Sequence, residues 1–402
     1  MAADDQMEWR EQYELSREVK RALRILPTRE LNSETPAELL DQQQTPTDLL
    51  FVRNTGTMPK FSETEIQNWT LTVDGEVDRP QRWTIEGLKN IGSKSVVSVL
   101  ECAGNGRAYF PSNRLINVLD SKALALDEAI SRTRLAKPYQ FARTLRPRWK
   151  KWPWFAGTVM WSDGAVGCVE WTGVPLAALL EKCRVKASAV YTGHHSADRA
   201  LDGLGPALSR GLPIAKAMDP DTLVAWAMNG EDIPAIHGGP LRLVAPGYPG
   251  SAWQKWIDRI EIRDRVHDGR LMDEYRIDGE IIEQMPVNSV ITRPANGFET
   301  RAGQPLEVAG YAWSGQSRIM TVDVSADGGD SWLEAKLGEQ PASRFAWRRF
   351  ELEFAQFAPG PAEIVVRAYD EGAAQPMESR SRLGNPIGYC NNVVRRVRGR
   401  VI

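Results

Sequence analysis

From about residue 286 onward the chain reads as short strands broken by tight turns, and this texture decides the C-terminal architecture. Met320, Val322 and Val324 alternate with polar residues, and Asp327-Gly-Gly-Asp330 follows as a strong turn. Phe350, Leu352 and Phe354 alternate next. Pro359-Gly-Pro361 then breaks the chain ahead of the apolar run Ile364 to Ala368. A period of two puts one face of each strand on a core. Several such strands over roughly 110 residues predict a β-sandwich. The whole chain has 402 residues, more than one core organises, so a separate domain is expected ahead of the sandwich. The boundary is placed near residue 280.

The preceding region has a different character. Residues 1–45 are polar and charge-rich, with one amphipathic stretch from Tyr13 to Leu26, and read as a partly helical N-terminal arm. Residues 46–280 mix strand signals with helical ones. Leu71-Thr-Val73 runs into Asp74-Gly75, Val96 to Leu100 is apolar, and Val174 to Cys183 reads as a helix with Pro175 near its first turn. Mixed α+β follows. Inside this domain, residues 113–151 carry ten Lys and Arg against three acids, a basic insertion ending in Arg146-Pro-Arg-Trp-Lys-Lys-Trp-Pro-Trp154. It reads as a solvated docking surface rather than a nucleic-acid site. Net charge is −2, so bulk charge does not draw the molecule to polyanions. No stretch approaches the roughly 18 consecutive apolar residues of a membrane span.

Chemistry concentrates in a few segments. Ser98-Val-Leu-Glu-Cys102-Ala-Gly-Asn-Gly-Arg107 delivers a thiol into a glycine-rich turn with an arginine five residues on. Such a neighbour favours the thiolate, as a nucleophile or soft-metal ligand requires. His237-Gly-Gly-Pro-Leu-Arg242, continuing to Trp253-Gln-Lys255, gathers three donors around flexible backbone, which suits a phosphate-bearing ligand. Phe51-Val-Arg53-Asn54 ends an apolar run with a cation and an amide. His194 and His195 are adjacent, so on a strand they point apart and make a poor metal pair. The four cysteines form no CxxC pair, which excludes a disulfide scaffold, a cysteine-rich zinc site and a CxxCH haem attachment. HExxH, GxSxG, Walker A and GxGxxG in a βαβ setting are all missing from the sequence.

Taken in order, Phe51 to Asn54, Glu101 to Arg107, Val169-Glu-Trp-Thr-Gly-Val-Pro175, Ala217-Met-Asp-Pro220, Ala227-Met-Asn-Gly230, His237 to Arg242 and Lys255-Trp256 resemble the sulfite oxidase family of molybdenum enzymes. Gly310-Tyr-Ala-Trp-Ser-Gly315 and Val322 to Gly329 are similar to that family's dimerisation domain. The resemblance spans about residues 48–400, with an insertion. It implies an α+β molybdopterin-binding domain followed by an immunoglobulin-like β-sandwich that forms a homodimer (residues 46–280 and 281–402). It implies a molybdenum–molybdopterin cofactor, with Cys102 as the thiolate on molybdenum. Asn54 and Thr55 match a pterin-binding segment, and Asp198 an acidic pterin contact. His237, Arg242, Trp253, Gln254 and Lys255 match the run that holds pterin and phosphate. Arg53 and Arg107 match two substrate arginines. Three positions depart from the family: Trp226 stands where a tyrosine is expected, Ile387 where a third arginine is, and Thr55 where a histidine is.

The activity implied is oxygen-atom transfer on sulfur, most simply sulfite to sulfate. No haem motif is recognisable in this chain, so electrons are expected to leave to an external acceptor such as a c-type cytochrome, and the basic insertion is either a docking surface for it or a loop packed against the N-terminal arm. The changed pocket leaves open a sulfane-sulfur dehydrogenase or a sulfoxide reductase. It also leaves open a non-catalytic cofactor-binding or electron-transfer accessory protein. Arg146, Arg148 and Lys150 are candidates to replace the lost arginine. The N-terminal Met-Ala-Ala-Asp-Asp-Gln-Met-Glu has neither a basic nor an apolar leader region, so the expected compartment is the cytoplasm, or the periplasm if a leader has been trimmed.

Overall fold

The structure is a computed structural model that describes residues 20, 22–26, 28, 31–110, 159–200, 205–355, 357–379, 385 and 387–402. The basic insertion at 113–151, with Arg146, Arg148 and Lys150, and residues 1–19, 21, 27, 29 and 30 of the N-terminal arm lie outside the described residues. Within the Tyr13 to Leu26 stretch expected to be helical, the described Arg24–Ile25 is a short strand pairing antiparallel with Asn32–Glu34, which in turn pairs with Val52–Arg53.

The first unit is built on two sheets. In one, Lys94–Glu101 pairs antiparallel with Val166–Pro175, which pairs with Leu223–Met228; Glu231–Asp232 and Arg242–Val244 both flank the last. In the other, the order is Gln81–Thr84, Thr70–Gly75, Ile257–Arg263, Tyr191–Ser196, with one parallel pairing between Thr70–Gly75 and Ile257–Arg263. Helices are few and short. Leu176–Cys183 forms because strong helix formers follow Pro175, and Leu176, Leu179, Leu180 and Cys183 (spaced i, i+3, i+4, i+7) bury one face. Val174, read as helical from its sequence, stays in the preceding strand, and Pro175 is the N-cap. The large aromatic core implied by 14 tryptophans is present: Trp161, Trp171 and Trp253 are fully buried here, with Leu71, Val73 and Ile260.

The second unit is a sandwich of a four-stranded sheet (Asn288–Arg293, Leu306–Trp313, Arg348–Phe354, Lys336–Leu337) and a five-stranded one (Phe298–Thr300, Arg395–Val401, Gly360–Asp370, Ile319–Ser325, Leu333–Glu334). Val308, Val322, Val324, Phe350, Ile364 and Val366 fill the space between them. The expected alternation fails at one residue. A register shift between Ile319 and Thr321 turns Ile319 inward and leaves Met320 56% exposed. A further apolar cluster joins the two units: Leu40, Val99, Val166 and Cys168 pack against Val290, Tyr311, Trp313 and Trp347. Among the described residues, no helix is long and apolar enough to cross a membrane.

Candidate cofactor and substrate site

The strand Lys94–Glu101 ends at Cys102, and the chain then turns sharply. Cys102 N–H donates to Ala165 O at 2.9 Å, Asn105 N–H to Cys102 O at 2.9 Å, and Gly106, at φ +75°, to Ser162 O at 2.7 Å. Positive φ at this position favours glycine. The Gly104 amide donates to Cys102 Sγ at 3.5 Å. Arg107 folds back over Gly104, where a Cβ would lie 2.6 Å from Nη2. Its Nη1 donates to Val159 O at 2.6 Å, and its guanidinium lies 5.1 Å from the Tyr389 ring centroid.

Cys102 opens onto a cleft of about 690 Å³, counting its solvent-exposed mouth. Arg53, Asn54, Thr55, Asp198, His237, Arg242, Trp253, Gln254 and Lys255 all line it, with Phe51, Leu100 and Trp256 as apolar wall. The sequence-predicted cofactor residues, 201 positions apart at their extremes, thus converge on one space. Their placement is specific. Lys255 Nζ donates to Asn54 Oδ1 at 2.9 Å and to Ile236 O at 2.7 Å. Asn54 is fixed by Asn32 Oδ1 on its amide N–H (3.0 Å) and by Leu31 O on its side chain (3.2 Å). Arg53 donates to Asn54 O and to Asn32 Oδ1. Arg242 Nη1 donates to His237 O at 2.7 Å, and its guanidinium lies 5.2 Å from the Trp171 ring centroid. Ser196 donates to Asp198 and accepts from Gln254 Nε2 at 2.7 Å.

The electrostatics are lopsided. Arg53, Arg242 and Lys255 face the cleft against one carboxylate, Asp198. Burial pushes Arg242 down to about 9 and Lys255 well below the usual lysine range, the latter helped by the charges of Arg242, Arg53 and Lys20. Burial, then the charges of Lys20, Lys255 and Arg242, pushes His237 well below the usual histidine range. Burial raises Asp198, against the Ser196 hydrogen bond and the Lys255 charge. Arg107 is pushed down by burial and opposed by Cys102, Tyr389 and Tyr275. Three buried polar atoms in this wall, His237 Nε2, Arg242 Nε and Gln254 Oε1, have no hydrogen-bond partner among the described residues. Buried polar groups are normally paired, so a cleft of excess positive charge with unspent donors and acceptors fits a hydrogen-bonding anion. A pterin carrying a phosphate, bound beside a thiol, meets each of these requirements.

Two expected positions behave differently. Trp226 lies on Leu223–Met228, 9% exposed within the core, and is not among the cleft-lining residues. Arg107 also lies behind the wall rather than on it, close to Cys102 and Arg53. Ile387 packs beside Ala103, Tyr275, Ile282 and Tyr389. His194 and His195 point apart, His194 Nε2 to Thr192 Oγ1 and His195 toward Glu261 and Arg259. Among the described residues no group of His, Cys, Asp and Glu side chains could by itself hold a metal.

The structure adds residues that no motif announced. Tyr275 lines the cleft, and its hydroxyl has no hydrogen-bond partner among the described residues. Its ring stacks on Tyr389 (4.9 Å between centroids, 22°), while Arg210 stands 4.9 Å from its centroid. Arg210, 1% exposed, donates to Ser251 Oγ at 2.7 Å and to Ile282 O at 3.2 Å. The stack Arg210–Tyr275–Tyr389–Arg107 is assembled from four distant segments, so only the tertiary fold reveals it.

Comparison with known proteins identifies the family. The model of the oxidoreductase molybdopterin binding domain matches residues 56–133 and 142–271, and that of the Mo-co oxidoreductase dimerisation domain matches 279–401. The mitochondrial sulfite oxidase of Macaca fascicularis is 29% identical over 94% of this chain, which spans 65% of that relative's length. The sulfite oxidase of Arabidopsis thaliana is 26% identical over 94% of this chain and 93% of its own. The crystal structure of the sulfane dehydrogenase SoxCD from Paracoccus pantotrophus superposes with a TM-score of 0.69 at 27% identity, covering 92% of this chain and 87% of that one.

Proposed function

Because this chain belongs to the sulfite oxidase family of molybdopterin-binding oxidoreductases, with an immunoglobulin-like dimerisation domain after the α+β one, we propose that it oxidises a small sulfur oxyanion, sulfite, to sulfate. The observation that carries this reading is the convergence of Cys102, Arg53, Asn54, Asp198, Arg242 and Lys255 on one cationic cleft with unpaired buried polar atoms. When bound, the molybdenum–pterin group supplies two-electron oxygen-atom transfer. Overall, sulfite and water give sulfate, two protons and two electrons. Cys102 is the protein's ligand to the metal. His237, Arg242, Gln254 and Lys255 hold the pterin and its phosphate, with Asn54, Thr55, Asp198 and Trp253 completing the cradle.

Arg53 binds the substrate dianion, and Arg107, behind the wall, adds its positive charge. Both guanidiniums are anchored by backbone carbonyls, so little reorganisation accompanies binding. Tyr275 offers a free hydroxyl to an anion oxygen. Phe51, Leu100, Trp253 and Trp256 keep water from much of the wall and strengthen each charge interaction. The two electrons pass to an external acceptor such as a c-type cytochrome. We assign residues 46–280 to catalysis and 281–402 to assembly of a homodimer, which light scattering on the purified protein tests.

The test is sulfite-dependent reduction of ferricyanide and cytochrome c by molybdenum-loaded protein, with Cys102→Ser as the blank. Turnover lost in the blank supports the reading. Absence of turnover in fully loaded wild type overturns sulfite as substrate. A second reading, oxidation of a sulfane sulfur, draws on the Ile387, Tyr275 and Tyr389 cluster, which makes one flank of the Cys102 turn apolar where an oxyanion would want a cation. Turnover of a sulfane-bearing thiol in place of sulfite would favour it.

A further inference from the structure

The turn that carries Cys102 is held from the other side of the domain boundary. Glu101, 2% exposed, accepts Asn105 Nδ2 (3.0 Å) and Asn288 Nδ2 (2.8 Å) on Oε1, and Trp313 Nε1 (2.8 Å) on Oε2. Asn288 and Trp313 belong to strands of the C-terminal sandwich, paired with each other in register. Cys390 N–H donates to Ala103 O at 2.7 Å, with Cys390 itself at φ +52°. Asn391 Nδ2 donates to Gly106 O at 2.8 Å. The Arg395 guanidinium donates to Asn391 O at 3.0 Å and occupies the space over Gly106, where a Cβ would lie 2.8 Å from it. The contacts from Asn288, Trp313, Cys390 and Asn391 each satisfy an acceptor at the turn with a donor from the C-terminal unit. Losing the donor would leave the acceptor unpaired and the turn free to relax.

We propose that the C-terminal sandwich has a second role besides assembly: it sets the ligating conformation of the Cys102 turn, with Glu101 as the positioning residue that couples the two units. The inference rests on the reading of Cys102 as the metal's thiolate ligand. Glu101→Gln keeps the shape but puts an amide N–H₂ against either the Trp313 indole or the two asparagine amides, since all three partners are donors. Asn391→Ala removes the Gly106 contact without touching Glu101.

The first readout needs no molybdenum. In cofactor-free full-length protein, alkylation of Cys102 by iodoacetamide, followed by mass spectrometry with the buried Cys168 as internal reference, should quicken by about tenfold in Glu101→Gln and in Asn391→Ala. In loaded protein, both variants should shift the Mo(V) electron paramagnetic resonance signal. Alkylation and spectrum unchanged within about twofold in both variants would overturn the proposal. Should either variant fail to fold, hydrogen exchange on the wild type decides: the amides of 103–107 should open together with the sandwich strands, and opening with the first unit alone would overturn it. Cys102→Ser discriminates the underlying reading. If that variant keeps the wild-type molybdenum spectrum, Cys102 is not the ligand, whatever the alkylation rates show.

Discussion

Gly104 lacks a side chain for want of room, since the Arg107 guanidinium lies where its Cβ would be. Gly104→Ala should therefore push Arg107 off Val159 O and lower kcat/KM for sulfite about as much as Arg107→Ala does, on the order of 10²-fold. Steady-state kinetics on molybdenum-normalised protein checks it, and a change under about threefold in Gly104→Ala would separate the glycine from the arginine. Tyr275 and Trp226 make an opposed pair. Tyr275→Phe should raise KM for sulfite by about tenfold, one lost hydrogen bond to a charged group, whereas Trp226→Phe, buried away from the cleft, should leave KM within about twofold. At this scale the sequence was legible wherever the site uses short contiguous runs. Cys102 to Arg107 and His237 to Arg242 are local geometry, fixed by glycines and a strand end. Tyr275, Arg210 and Tyr389 meet only after the sheets close, and no spacing announces them. The depth of Trp226 was not legible, because a motif gives a residue's strand but not how deep its side chain lies.

Between the elements, a relay ties the outer sheet to the back of the cleft. Arg263 Nη1 donates to His267 Nδ1 at 2.8 Å; a guanidinium only donates, so Nδ1 accepts and Nε2 carries the proton. His267 Nε2 then donates to Ser209 Oγ at 2.8 Å, and Ser209 donates to His194 O at 2.7 Å. Neighbouring Leu208 lines the cleft, and its carbonyl accepts from Gln254 at 3.1 Å. Burial, then the Arg263 and His195 charges, lowers His267 from 6.5 to about 4, with Asp268 and Glu261 opposing. The unfolded chain thus takes up this proton near pH 6.5 and the folded one only near 4, so stability falls as pH drops through that window. His267→Gln, whose amide can accept from Arg263 and donate to Ser209, should remove about one proton of that slope. Urea unfolding at pH 7, 6, 5 and 4.5 measures it; an unchanged slope would show that His267 is not buried neutral. Elements were the easier level to read. Thr70–Gly75 and Lys94–Glu101 follow from apolar runs closed by turn residues. The misreading at Met320 came from a bulge, an extra residue that a period of two has no means to encode.

At the scale of the molecule, the segment that leads into the first unit is fastened to the second. Ala37–Leu40 is a single 3₁₀ turn ending at Asp41, and Leu40 enters the apolar cluster shared by both units. Asp41 accepts from Arg349 Nη1 at 2.6 Å and from Thr292 Oγ1 at 2.8 Å, and pairs with Arg293 Nε at 2.8 Å. Trp347 Nε1 adds a bond to Gln43 O at 2.8 Å. Texture along the sequence divides the chain into two units, but it is silent about this strap, because the charges of Asp41, Arg293 and Arg349 look like ordinary surface residues until the fold pairs them. Burial pushes the Asp41 carboxyl up, yet the Arg349 and Thr292 hydrogen bonds and the Arg349 and Arg293 charges outweigh it, and the net shift is downward. A carboxyl lowered in the folded state contributes stability above its unfolded pKa of about 4 and loses it as pH falls through the folded value. Asp41→Asn should therefore cost about 1 kcal/mol at pH 7, a modest figure because Arg293 is nearly half exposed. The gap to wild type should close progressively below about pH 4, where the wild-type carboxyl also becomes neutral. Parallel denaturant titrations of the two proteins at pH 7 and pH 3 provide the comparison. A gap that persists undiminished at pH 3 would mean that Asp41 acts by shape rather than by charge, and the strap would then rest on Leu40 and Trp347 alone.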